Sequence, residues 1–207
     1  MGDCCSDKGC ELEEMKSSHA KILWTVLAIN AAMFLVEIIF GILSKSTALK
    51  ADSLDMLGDS LVYAMTLVVL NKSTRKQASA SLLKGVIMLV FGLGVMIDAF
   101  IRFSMHTVPT AEIMGWVGFL ALVMNTVCFY LLWRHRTDNL NMSSTWTCSR
   151  NDLIANAGVI VAAGLTAATL SKWPDLIVGF VIAALFMSSS ISVLKRSIAE
   201  MRQIPSS

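Results

Sequence analysis

The sequence predicts an all-α integral membrane protein, a bundle of six transmembrane helices with both termini in the cytoplasm. Three observations carry that expectation. Of 207 residues, 55% are hydrophobic and only 15% charged, with a mean hydropathy of +0.66. The apolar residues gather in stretches of about 20, the length an α-helix needs to cross the hydrocarbon layer. Nothing shows the ten-residue alternation of barrel strands, and helices and closed barrels are the structures that satisfy their own backbone groups in lipid.

Residues 1–20 read as a Cys-containing cytoplasmic tail, 21–198 as the transmembrane domain and 199–207 as a short cytoplasmic tail. The spans fall at about 22–43, 53–70, 83–103, 113–133, 149–170 and 174–194. The first, ILWTVLAINAAMFLVEIIFGIL, begins after twenty polar residues and is too long for a signal-peptide core, so it stays in the mature chain. The second is the weakest by hydropathy, because acids occupy its first third. The third, fourth and sixth are nearly continuous apolar runs, and the fifth opens from the polar stretch TCSRNDLIANAG.

Lys and Arg set the orientation. With six spans, the termini share a side with the loops after spans two and four. That side carries Lys8, Lys16, Lys21, Lys72, Arg75, Lys76, Arg134, Arg136, Lys195, Arg196 and Arg202. The other carries Lys45, Lys50 and Lys172, with Arg102 near the end of span three. The crowded side is cytoplasmic in a cell membrane, and the net charge of +2 reflects this bias rather than a nucleic-acid partner.

The stretch ADSLDMLGDS places Asp52, Asp55 and Asp59 on one helical stripe. A single carboxylate at mid-bilayer costs about 2.5–3.5 kcal/mol on insertion scales, so three need a purpose. Asp52 reads either as a cap for span two or as part of the acidic face. Asp55 with Asp59, and Cys148 with Asp152, are pairs four residues apart, each presenting two side chains on adjacent turns. Two such pairs on neighbouring helices supply the four ligands of a tetrahedral divalent ion. Glu37 and Asn30 in span one and Asn156 in span five are supporting candidates. Asn125 and Asn156 read most simply as interhelical hydrogen-bonding residues, Asp98 and Arg102 as an intrahelical ion pair, and Cys128 as a small packing residue.

From Ala31 to Ser60, with Phe34, Glu37, Gly41 and then KSTALKADSLDMLGDS, the chain resembles the first two helices of the cation diffusion facilitators. LVMNTVCFYL and DLIVGFVIAALFMSSSISVLKRSI are similar to that family's fourth and sixth helices, and the resemblance runs from about residue 20 to 200. It implies a divalent-metal/proton antiporter with six transmembrane helices. The family motif of His or Asp, three residues, then Asp falls on Asp55 and Asp59, while Asp52 matches an upstream acid that is not a ligand. The motif of the fifth helix falls on Cys148 and Asp152, with Cys standing where His is usual. The expected form is a short one lacking the family's carboxy-terminal cytoplasmic domain, and a homodimer is implied whose interface is built from helices.

Carboxylates and a thiolate bind metal only when deprotonated, so metal and protons compete for the same atoms and can be exchanged. The mixed oxygen and sulfur set suits Zn²⁺ first, then Cd²⁺ and Co²⁺. No bound cofactor is expected; the partners are the metal, protons and the bilayer. The amino-terminal MGDCCSDKGC admits three readings: metal capture by Cys4, Cys5 and Cys10, lipidation at Gly2 and the adjacent cysteines, or a tail of reduced cysteines. Alternatives to the antiporter are a membrane regulatory or assembly subunit and a passive cation channel. An enzyme is not expected, since no nucleophile–base pair or phosphate-cradling loop is evident and His19, His106 and His135 lie outside the spans.

Overall fold

A computed structural model describes residues 4–68, 74–134 and 142–203, and the side chains within them except at 4–20, 22, 66, 74, 75, 77, 132–134, 142–151, 200 and 203. It holds six helices: α1 (Cys4–Leu43), α2 (Thr47–Val68), α3 (Thr74–Ser104), α4 (Ala111–Arg134), α5 (Met142–Thr169) and α6 (Trp173–Gln203). Among the described residues there is no strand. Five helices are long and apolar enough to cross a membrane, at Leu23–Leu43, Ala78–Ser104, Ala111–Leu131, Asp152–Thr169 and Trp173–Ala199. The sixth, α2, carries Lys50, Asp52, Asp55 and Asp59. It is the span whose hydropathy is weakest in the sequence. The bundle is a multi-pass membrane fold.

Several helices outrun their expected spans. α1 is already helical at Cys4, inside the segment expected as a tail, and α5 at Met142 rather than near 149. Hydropathy marks where lipid begins; hydrogen bonding and caps decide where a helix ends.

The turns α1–α2, α3–α4 and α5–α6 lie at one end of the bundle and are tied together. Ser46 N–H donates to Gly41 O at 2.9 Å and Lys45 N–H to Ile42 O at 3.2 Å, with Lys45 at φ 56°, which closes α1 in a Schellman turn. Ser46 then starts α2, its Oγ accepting from Leu49 N–H at 3.0 Å. Thr110 N–H reaches Ser44 O at 2.9 Å, Arg102 Nη1 donates to Lys45 O at 2.8 Å, and Lys172 Nζ donates to the carbonyls of Phe103 and Met105. Trp173 stacks edge-on against Phe103 with centroids 5.4 Å apart, in the amphipathic position Trp favours at a membrane boundary.

α2 packs most extensively on α1, α3 on α6, and α4 on α5, while α2 also meets α6, α3 and α5. Gly41 and Gly179 allow close approach to α2. A Cβ at Gly41 would sit 2.7 Å from Lys50 Cγ, and one at Gly179 would sit 2.6 Å from Ala48 N. The core is layered around α2. Leu49 lies with Val117 and Val159, Leu54 with Met88 and Phe186, Met56 with Met33 and Ala121, and Tyr63 with Leu23, Val26 and Cys128.

Candidate metal centre

α2 is enclosed from Thr47 to Leu54, every residue there being buried. Asp52, within this stretch, therefore faces protein rather than lipid. Asp52 is 0% exposed, Asp59 is 8% exposed and Asp55 is half-buried. Successive acids are separated by about 4.5 and 6 Å of helical rise.

Facing them on α1 is Glu37, 0% exposed, on which the charges of both Asp52 and Asp55 act. From α5, the charge of Asp152 reaches Asp52. Glu37, Asp52, Asp55 and Asp152 thus act on one another electrostatically from three helices. The basic residue of α2, Lys50, turns instead to Asp98 on α3, and Arg102 Nε joins the same Asp98 oxygen at 2.8 Å. The Asp98–Arg102 pair read from spacing is present, with Lys50 as a third member.

Among the described residues, no three of His, Cys, Asp and Glu stand close enough together to hold an ion as they are. The side chains of Cys148 and of Cys4, Cys5 and Cys10 lie outside those residues. Cys148 is helical, four residues ahead of Asp152 on α5.

Two readings from the sequence are corrected. Asp52 is not the cap of α2: the helix starts at Thr47, Ser46 is its cap, and neither Asp52 oxygen has a hydrogen-bond partner. Hydropathy put the start of the span too late, inside a helix already under way. Asn156 does not bridge helices, for its Nδ2 donates to Asp152 O within α5 at 2.8 Å and its Oδ1 has no partner. Asn125 Nδ2 is also without a partner. Asn30 does cross to a neighbour, donating to Cys128 Sγ at 3.6 Å as well as to Val26 O at 2.9 Å. Cys128 is buried in the core as expected of a packing residue.

The sequence reading missed Asp175. This buried residue of the first turn of α6 accepts from Ser46 Oγ at 2.5 Å, Thr47 N–H at 2.7 Å and Ala48 N–H at 3.0 Å. The only signal was an acid beside Pro174, which reads as a feature of its own helix start.

The Cation efflux transmembrane domain matches residues 23–201. The chain is 23% identical over 197 residues to a cadmium, cobalt and zinc/H⁺–K⁺ antiporter of Bacillus subtilis, covering 88% of this chain and 63% of that protein. It is 27% identical over 201 residues to the zinc transporter ZitB of Pectobacterium atrosepticum, covering 90% and 62%. To the metal cation efflux system protein CzcD of Cupriavidus metallidurans it is 25% identical over 194 residues, covering 87% and 61%. The chain thus spans less than two thirds of the length of these relatives. With the domain match extending over most of the bundle and the acids gathered on α1, α2 and α5, this chain belongs to the cation efflux family.

Proposed function

We propose that the chain exports a divalent metal cation from the cytoplasm in exchange for protons, with Zn²⁺ first and Cd²⁺ and Co²⁺ next. The observation that supports it best is the convergence of Glu37, Asp52, Asp55 and Asp152 from three helices inside a matched cation efflux domain. Asp55, Asp59 and Asp152 are the carboxylate ligands and Cys148 the thiolate. A small approach of α5 toward α2 completes the set. Open to the cytoplasm, the deprotonated ligands take the ion; open to the far side, protons displace it, and the protonated site returns without carrying its full charge through the membrane. Rocking of helices about this site supplies alternating access. The termini lie in the cytoplasm, and the working unit is a homodimer.

Reconstituted vesicles test the reading. An imposed proton gradient should drive Zn²⁺ movement against its own gradient, and Asp59→Asn or Asp152→Asn should abolish it. Zn²⁺ flow that follows only its own gradient and the voltage would indicate a channel, and no flow from the purified chain an assembly subunit.

A further inference from the structure

Of the acids within the apolar stretch of α1, on α2 and on α5, namely Glu37, Asp52, Asp55, Asp59 and Asp152, the ligand set proposed above uses Asp55, Asp59 and Asp152. Glu37 and Asp52 are left over, and they are the two most deeply enclosed, each 0% exposed. All four of their carboxylate oxygens lack a hydrogen-bond partner. Lys50 and Arg102 are committed to Asp98. A fifth unpartnered oxygen comes from Asn156, also 0% exposed. It sits one turn from Asp152, whose charge reaches Asp52. Three residues further along α5, Val159 packs in the cluster that holds Ala48 and Leu49. Because Asn156 spends its Nδ2 on the Asp152 carbonyl, an acceptor is what remains.

A buried polar group without a partner costs about 1–3 kcal/mol, and a buried charge more. A site built of acceptors alone is stable only with positive charge among them. Carboxylate and amide oxygens are hard donors, unlike a set containing a thiolate. A second dication within a turn or two of the first would be repelled strongly in a low-dielectric interior, and a single charge halves that repulsion. We propose that Glu37 and Asp52, joined by Asn156, form a separate oxygen-lined site for a monovalent alkali-metal ion. The site rests on these residues; its preference for a single charge rests on the divalent-ion reading above.

The test uses the full chain, purified in detergent without divalent metal, and follows thermal unfolding in NaCl or KCl against choline chloride at equal ionic strength and pH. A bound ion stabilises the native state in proportion to its occupancy. The midpoint should rise in Na⁺ or K⁺, Glu37→Gln and Asp52→Asn should weaken the apparent affinity about tenfold or more, and Asp59→Asn should keep it. Equal midpoints in all three salts would overturn the proposal and leave protons as the occupants. A rise that survives both Glu37→Gln and Asp52→Asn, or is lost in Asp59→Asn, would overturn it too. Should the variants fail to fold, binding of radioactive Rb⁺ to the unaltered chain decides: bound Rb⁺ resistant to excess Zn²⁺ supports the site, and none bound refutes it. Alkali-ion stabilisation without zinc transport would end the efflux reading and leave this site standing.

Discussion

Asp175 on α6 accepts the backbone N–H of Thr47 on α2 at 2.7 Å, across a sequence separation of 128 residues. With the bonds to Ala48 and Ser46, one carboxylate of α6 serves the N-terminus of the helix that carries the acid stripe. A negative group is favoured there by the helix dipole. Asp175→Ala should lower stability by about 2–3 kcal/mol and Asp175→Asn by less. Thermal unfolding in detergent reads it, and a loss in Asp175→Ala no larger than an exposed-surface substitution gives would remove the cap from the account.

Gly179 lets α6 lie directly on that same turn. A methyl group at this position would meet Thr47 C at 2.7 Å as well as Ala48 N, and backbone cannot give way as a flexible side chain can. Gly179→Ala should therefore destabilise the bundle by about 1–3 kcal/mol. Gly94→Ala, with nothing within 4 Å, is the control and should unfold at the temperature of the unaltered chain or above.

The proposed ligands should separate transport from assembly. Asp55→Ala, Asp59→Ala and Asp152→Ala are expected to reduce metal/proton exchange at least about 100-fold while the protein still reaches the membrane. Cys148→His should shift the ratio of cadmium to zinc transport toward zinc. An unchanged ratio would take Cys148 out of the ligand set. Acidifying the metal-loading side should slow transport, since protons occupy the same oxygens.

Lys50 and Asp98 should respond asymmetrically. The Lys50 side chain is 6% exposed and that of Asp98 33%. Asp98→Ala strands a buried ammonium and should cost about 1–3 kcal/mol, reduced from the fully buried case by the exposure of the acid. Lys50→Met keeps the packing and leaves Asp98 to Arg102, so its effect should stay below about 1 kcal/mol. Equal losses in the two variants would contradict this.

Lys45 holds a left-handed backbone at φ 56° with a side chain exposed to solvent. Such a conformation costs a non-glycine residue about 1–2 kcal/mol. Lys45→Gly should recover about 1 kcal/mol of it, a rise in unfolding midpoint of about 2–4 °C. The bond from Arg102 to the Lys45 carbonyl involves only backbone at this residue and is retained. A lower midpoint would show that the lysine side chain contributes more than its geometry suggests.

What could be read from the chain in advance was local. Six helices follow from apolar runs, and the ambiguity of α2 follows from the acids within it. Asp98 and Arg102 could be paired because four residues of one helix fix their separation. Lys50 joins them from 48 residues away, and no periodicity records that. Asp175 was illegible for the same reason, its partners lying on another helix. Asp52 could not be told apart from a cap in the sequence, although a better one stood upstream: Ser46 begins the hydrogen-bonded turn, while hydropathy marks only where the chain becomes apolar. The turned-back amide of Asn156 was beyond reach because a side chain's choice between its own helix and the next depends on tertiary packing.

Ser46 completes the closing turn of α1 and opens α2, so no slack separates the two helices. Adding one amino acid here would rotate everything downstream by about 100°. That would swing the stripe at 52, 55 and 59 from the protein interior toward fatty-acyl chains. Chain length at this junction is therefore a stricter requirement than side-chain identity, and a library of insertions and deletions should find it far less forgiving than the stretch 105–108.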